Sequence, residues 1–385
     1  MNRKLRMGML GGGEGAFIGA IHRFAAQADG QIELVCGAFS SDSAKSLTSG
    51  RKLYLADNRI YPSYKEMIEQ EAKLPADERM DFLSIVTPNH MHFEPAMLAL
   101  DKGFHVLIEK PITLSLHEAE QLQTKLEETG LLLALAHTYT GYPMVKEAKS
   151  IIENGVLGKI RKVFVNYHQG WLSTLLEEEG NKQAAWRTDP SKSGICGAMG
   201  DIGVHAFNLA EYISGLKVSH ISAQLNTVVD GRRLDDDGMV MLKFGNGASG
   251  ILTACQVAAG EENNLSIKIY GEKGGLEWHQ MEPNTLLLKF ADKPMQVLRA
   301  GQAYLSPVAT QNSRTPAGHP EGYLEAFGNI YLNFAAVISS RLNHADEKIC
   351  KPEFEGIDAG LRGMLFIEKV VESHYSELKW IRLST

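Results

Sequence analysis

The chain has 385 residues, 44% of them hydrophobic and 22% charged, with 39 basic against 46 acidic side chains and a formal net charge of −7. Its length exceeds what one hydrophobic core fills, so two closely packed domains are expected. No apolar run approaches the roughly 18 residues of a membrane span, no long basic run offers a nucleic-acid footprint, and Met1-Asn2-Arg3-Lys4-Leu5-Arg6 lacks the apolar core of a secretory signal, so a cytoplasmic location is expected.

From residue 1 to about 136, short apolar runs alternate with helical patterns, as βαβ units of a parallel sheet do. The predicted strands are Met7–Leu10, Ile32–Phe39, Phe82–Val86, His105–Ile108 and Leu131–Ala136. A helix from about Phe93 to Lys102 stops at Gly103, and Ser115 with Glu118 three residues on predicts a capping box for the next. After residue 160 the texture changes to alternation, predicting strands at Lys162–His168, Ser219–Val229, Met239–Phe244, Ser249–Val257 and Leu265–Tyr270. Turn signals at Gly245-Asn246-Gly247 and Glu272-Lys273-Gly274-Gly275 make this sheet largely antiparallel. Helical spacing returns at Gly322–Ser339 and Ile357–Ser373. The expectation is an α/β chain with a dinucleotide-binding Rossmann domain at 1–136 and a substrate-binding, oligomerising α/β domain at 137–385. Four cysteines, at 36, 196, 255 and 350, show neither zinc nor disulfide spacing and are expected to be reduced and mostly buried.

Gly11, Gly13 and Gly19 form a G-x-G-x5-G turn between the first strand and the first helix, about three residues longer than the usual G-x-G-x-x-G. Such a turn lets backbone N–H groups approach a pyrophosphate at a helix N-terminus. At the end of the second strand, where an acidic residue would select the NAD ribose, stand Ala38-Phe39-Ser40-Ser41-Asp42. Ser40, beside Ser41 at the expected cofactor edge, leaves room for a 2′-phosphate, with Lys45 or Arg51 as charge partners. Asp42 can serve NAD, or Ser41 or Asp42 can simply cap the next helix, so the cofactor is NAD or NADP, with a slight lean to NADP.

Glu109-Lys110-Pro111 ends an apolar strand, and Gly200-Asp201-Ile202-Gly203-Val204-His205 places an aspartate and a histidine four residues apart at a helix start. A lysine, an aspartate and a histidine suffice to take a proton from an alcohol, which beside a dinucleotide suggests hydride transfer. The bland alternative makes Asp201 a helix cap and His205 a core residue. Thr87, Asn89 and His92 follow a strand on the side of the sheet suited to the nicotinamide ribose. His90-x-His92 is half a metal site with no further ligand cluster nearby in sequence, and no metal is expected.

Together the glycine turn, Thr87-Pro88-Asn89-His90-x-His92, Glu109-Lys110-Pro111, Trp186-Arg187 and Gly200-Asp201-x-x-x-His205 resemble the Gfo/Idh/MocA family of sugar and cyclitol dehydrogenases, in order and spacing, from about residue 5 to the C-terminus. The resemblance implies a Rossmann domain followed by an α/β domain whose open, mainly antiparallel sheet assembles a homodimer or homotetramer. It also implies NAD(P)-dependent hydride transfer at one ring carbon of a neutral sugar, cyclitol or glycoside. Lys110, Asp201 and His205 are the implied catalytic residues, with Glu109 and Lys110 also beside the cofactor and a cis Lys110-Pro111 bond. Tyr142, His168 and Trp171 are candidates for a wall against the sugar ring. His319 and Tyr323 lie in a segment that approaches the sugar in relatives. Departures bear on the substrate: Thr140 stands where many members have arginine, and Ser193-Gly194-Ile195-Cys196-Gly197 interrupts the common triple-glycine run. Two other readings are an NAD-dependent glycoside hydrolase or lyase that oxidises C3 transiently, and a dinucleotide-sensing regulator without turnover. The latter is disfavoured because all three catalytic positions are filled.

Overall fold

The computed structural model describes residues 3–343 and 352–384, which leaves Cys350 outside the described residues. The chain divides into two compact units, Met1–Thr138 with Phe327–Leu361, and Tyr139–Ala326 with Arg362–Thr385.

The first unit is built on strands β1 (Leu5–Gly11), β2 (Ile32–Ala38), β3 (Phe82–Val86), β4 (His105–Ile108) and β5 (Leu133–Leu135), in the order β2-β1-β3-β4-β5 with every pair parallel. All five residues of β3 are buried, as a continuous apolar run in a doubly covered parallel sheet must be. The order reverses between β1 and β3, the switch point where open α/β sheets place their ligands. Helices α1 (Phe17–Gln27), α2 (Ser43–Lys52), α3 (Tyr64–Glu71), α4 (Phe93–Asp101) and α5 (Leu116–Thr129) connect the strands. The Ser115 hydroxyl accepts from the Glu118 N–H at 3.3 Å, while the Glu118 carboxylate takes the N–H of Leu114 at 3.0 Å. The capping box therefore forms with its return bond one residue earlier than the simplest version.

In the second unit, helices α6 (Pro143–Glu153), α7 (Lys182–Arg187), α8 (Pro190–Ser193), α9 (Val204–Ser214) and α10 (Pro307–Gln311) precede or interleave with the strands. The strands are β6 (Ile160–His168), β7 (Val218–Asn226), β8 (Asp237–Phe244), β9 (Ser249–Cys255), β10 (Asn264–Gly271), β11 (Gly274–His279), β12 (Thr285–Phe290), β13 (Gln296–Arg299) and β14 (Ile381–Arg382). They form one sheet, β13-β12-β11-β10-β6-β9-β8-β7-β14, antiparallel except at β6–β9. Strands β11 to β14 go beyond the five predicted. Helices α11 (Tyr323–Leu342) and α12 (Ile357–Tyr375) complete the chain.

Alternation decides the two faces of this sheet. Val163, Val165, Tyr167, Val240, Leu242, Leu252 and Ala254 are buried, on the face against which α9, buried along its whole length, packs. Their neighbours Met239, Met241 and Ile251 are exposed on the other.

Candidate active site

The glycine turn begins with Gly11 (φ 83°) and Gly12 (φ 69°), left-handed backbone that glycine adopts without a Cβ penalty. A Cβ on Gly19 would stand 2.2 Å from Gly12 Cα, so this glycine lets α1 lie directly on the turn. A Cβ on Gly13 would stand 2.6 Å from the Phe39 carbonyl oxygen, and this residue is required for packing on the end of β2 whatever a phosphate demands. Helix α1 has no side-chain N-cap and no acidic residue in its first turn, which suits its N-terminus to a pyrophosphate. The residues therefore fit a dinucleotide, held by the Gly11–Gly13 backbone and the start of α1. Arg23 was not singled out from the sequence. Arg23 donates to the Gly12 carbonyl at 2.7 Å, and burial lowers its pKa.

Beyond β2, the Ser40 hydroxyl accepts from the Asp42 N–H, Ser41 is exposed, and Asp42 caps α2 by accepting from the N–H groups of Ala44 and Lys45. Arg51 is held bidentately by Asp57, at 2.8 and 2.6 Å.

Thr87 adjoins the turn, its methyl carbon 2.9 Å from where a Gly11 Cβ would be, and Asn89 is buried in the following turn. His92 requires a correction. It is fully buried, its Nδ1 lies 2.8 Å from the Pro111 carbonyl and its Nε2 2.9 Å from the Thr87 carbonyl. Both ring nitrogens face backbone oxygens, so His92 ties the Thr87 turn to the Lys110-Pro111 segment and has no edge left for a ribose. Burial lowers its pKa against the opposing pull of those two carbonyls.

The Lys110-Pro111 bond is cis, as the resemblance implies. Glu109 accepts from the Lys110 N–H at 3.1 Å, and its other oxygen lies 2.9 Å from Nε2 of the buried His22. Burial pushes the Glu109 carboxyl up, but the hydrogen bond from His22 and the charge of Lys110 outweigh it and hold the group below its ordinary value. His137, buried and facing the Lys110 charge, is pushed down to about 3.

In the second unit, Asp201 lies in a π-helical turn, Met199–Gly203, that runs straight into α9 with His205 as its second residue. Such turns re-aim side chains and recur at functional sites. Asp235 fixes this one: its carboxylate accepts from the N–H groups of Gly197 at 2.6 Å and Met199 at 2.8 Å, and burial raises its pKa despite those bonds. Asp201 thus sits inside the turn and is not the cap of α9. Its Oδ2 accepts from Arg187 Nε at 3.2 Å and Gln256 Nε2 at 2.9 Å. Arg187 stacks on Trp186 at 4.3 Å and approaches Trp171 at 5.9 Å. Trp171 in turn donates to Gln169, which also receives Gln256 and reaches Asn263.

Asn263 joins Tyr167 and Tyr139, which hydrogen-bond each other, and the His205 ring meets Tyr139 edge-on at 4.9 Å. One polar network therefore runs from Asp201 to the aromatic neighbours of His205. Burial raises the Tyr167 hydroxyl pKa far above normal, and Tyr323 and Asp201 add to the shift against the hydrogen bonds of Tyr139 and Asn263. Tyr323 is half-buried at the start of the helix Tyr323–Leu342.

Two predicted sugar contacts, His168 and His319, lie away from this cluster, and a third, Tyr142, stacks on Tyr139 at 6.4 Å. Strand alternation turns His168 away from Tyr167, onto the open face of the sheet, where it pairs with Thr253 at 2.8 Å. Tyr142 is 2% exposed and packs on Trp278 at 5.4 Å, with its hydroxyl pushed up to about 12 by burial. His319 is exposed in a loop and faces the Pro316 carbonyl at 3.2 Å. The partners missed from the sequence, Gln169, Asp235, Gln256 and Asn263, come from loops and strand ends far apart in the chain. Arg187, the last residue of α7, had a sequence signal, the Trp186-Arg187 pair.

Residues 5–137 match the family model for the oxidoreductase family with an NAD-binding Rossmann fold, and residues 145–277 match that for the GFO/IDH/MocA C-terminal domain. The uncharacterized oxidoreductase YfiI of Bacillus subtilis (strain 168) is 32% identical over 387 residues, 99% of this chain and 97% of that one. The inositol dehydrogenase homolog of Azotobacter vinelandii, solved with NAD+, superposes with a TM-score of 0.94 at 32% identity, covering 99% of this chain and 98% of that one. The same protein solved with NADH and myo-inositol gives 0.92 at 31%, with the same coverage. The chain belongs to the Gfo/Idh/MocA family, as an NAD-binding oxidoreductase of the dehydrogenase type.

Proposed function

We propose that the protein oxidises or reduces one ring carbon of a neutral sugar, cyclitol or glycoside. The observation that carries this reading is the hydrogen-bonded network around Asp201, in which the carboxylate and the Arg187 guanidinium, 3.2 Å apart, match each other in charge. A pair of that kind presents donors and acceptors to hydroxyl groups without the excess positive charge a phosphate would need. The myo-inositol bound to the Azotobacter relative supports the same substrate class.

The dinucleotide, when bound, supplies the hydride acceptor or donor. This chain's residues do the rest. Lys110 and His205 handle the hydroxyl proton, Asp201 orients the substrate, and Trp171 and Tyr323 wall the ring. We propose NAD(H) as the working cofactor. The Asp57 carboxylate engages Arg51, one of the two cations near the place of a 2′-phosphate in sequence, and the Azotobacter relative was solved with NAD+ and with NADH.

The test is a screen of neutral sugars and cyclitols with NAD+ and NADP+, following reduced nicotinamide absorbance. Lys110→Ala and His205→Ala should each lower kcat about 100-fold on the best substrate, with dinucleotide affinity within a few-fold of wild type. Turnover surviving in either variant removes that residue from the chemistry. A kcat/KM tenfold higher with NADP+ overturns the cofactor choice.

A further inference from the structure

Behind Glu109 lies a buried chain of polar groups that the reaction as drawn does not use. The Ser84 hydroxyl is 2.8 Å from the Tyr331 hydroxyl, which is 2.6 Å from His22 Nδ1, and His22 Nε2 is 2.9 Å from Glu109. Ser84 stands in the central strand β3, fully buried, and Tyr331 is 1% exposed. The His22 ring is clamped edge-on by Phe327 at 4.6 Å and Tyr331 at 5.8 Å. A carboxylate only accepts, so with Glu109 ionised His22 donates from Nε2; a neutral ring then accepts at Nδ1 from Tyr331, whose oxygen accepts from Ser84. Every bond in the row is satisfied in that single direction. The row ends inside the sheet, so it delivers no proton to water. What it does is fix a carboxylate whose other oxygen holds the Lys110 N–H.

We propose that His22 and Tyr331 are positioning residues for Lys110: they lock Glu109, and Glu109 sets the backbone from which the lysine projects. This rests on the reading of Lys110 as the proton-handling group. The consequence is that fixing the lysine depends on a donor at one particular place on α1, the position of His22 Nε2. Glutamine at 22 carries its amide nitrogen near that place, whereas asparagine reaches only to the place of Nδ1.

The experiment compares His22→Gln, His22→Asn and Lys110→Ala in steady-state kinetics, dinucleotide titration and melting. Alongside these, the Lys110 side-chain resonance is followed in cofactor-free, 13Cε-lysine-labelled protein and assigned by its loss in Lys110→Ala. His22→Asn is expected to lower kcat about tenfold or more with dinucleotide affinity within twofold, and to shift or broaden the Lys110 resonance. His22→Gln should stay within about threefold of wild-type kcat and keep the resonance in place. Equal effects of the two substitutions, a loss confined to dinucleotide affinity, or an unmoved resonance in His22→Asn overturns the proposal. If Lys110→Ala turns over normally, the reading of Lys110 falls instead, and the resonance still reports whether His22 places the lysine.

Discussion

Glu277 shows what a single residue contributes in this sheet. Its carboxylate is 10% exposed on β11, with His279 at 2.7 Å, Lys268 at 3.1 Å and Lys289 hydrogen-bonded to its second oxygen. Burial alone would raise its pKa, but the bonds from Lys289, His279 and Lys268 outweigh that and bring it from its ordinary value near 4.5 to about 2. A group depressed in the folded state stabilises fully above its unfolded pKa and loses that contribution as pH falls through the folded one. Glu277→Gln should therefore cost on the order of 1–2 kcal/mol at pH 7, discounted for the wetted lysines, and the difference from wild type should shrink between pH 4.5 and 2. Melting curves across that range check it, and a difference that persists at pH 2 would show that shape, not charge, matters there. Among residues, the sequence could bring forward as candidates those carried by a short local motif, such as Lys110, Asp201 and His205. It could not show Gln256 or Asn263, whose roles exist only once strand ends and loops converge. It also misassigned His92 and His168, because a histidine's use depends on what faces its two nitrogens and on which face of a strand it falls.

At the scale of elements, the βα unit that opens the chain is held by contact between two glycines. Alanine ordinarily favours a helix over glycine by about 1 kcal/mol, yet a Cβ at position 19 would overlap the Gly12 backbone, with Cα at 2.2 Å and the carbonyl oxygen at 2.5 Å. Gly19→Ala must push α1 away from the turn. It should weaken dinucleotide binding at least tenfold and lower the melting temperature, as read by fluorescence titration of the reduced dinucleotide. Gly30→Ala is the control: its φ of 67° carries backbone strain that Gly19, inside α1, does not, but nothing lies within 4 Å of its Cβ, so binding should stay within about twofold. Equal effects would mean that general destabilisation, not the close approach at Gly19, weakens binding. Strands β1 to β5 were legible because parallel strands covered on both faces read as apolar runs. Strands β11 to β14 were not. Leu286-Leu287-Leu288 gives no alternation, Gln296–Arg299 is an exposed edge with little apolar pattern, and Ile381–Arg382 is two residues long. The π-helical turn at Asp201 has no periodic signature at all.

For the whole molecule, the open face of the large sheet carries the consequence. Cross-strand register aligns Met241 of β8 with Ile251 of β9, and Ile251 with Phe164 of β6, so three apolar side chains form a row across the sheet. Met239 is 51% exposed, Met241 43% and Ile251 38%, while the alternating partners Val240, Leu242 and Leu252 lie beneath α9's side at 0%. Phe164 also meets Tyr270 edge-on at 6.3 Å, extending the apolar row toward β10. Monomers seldom leave a contiguous apolar patch of this kind in water. The proposed remedy is a second copy laid on the same face, since a self-complementary patch closes as a two-fold dimer that can pair again into a tetramer. Sedimentation at micromolar concentration should give a dimer or tetramer, and a stable monomer would remove the argument. Met241→Asp is the sharper test. Its side chain is half-exposed in the isolated chain, so the subunit should fold with little change in melting temperature and unaltered dinucleotide affinity, yet pairing would bury two uncompensated carboxylates against a hydrophobic row. The variant should sediment as a monomer; an intact oligomer in it would place the subunit contact on some other surface.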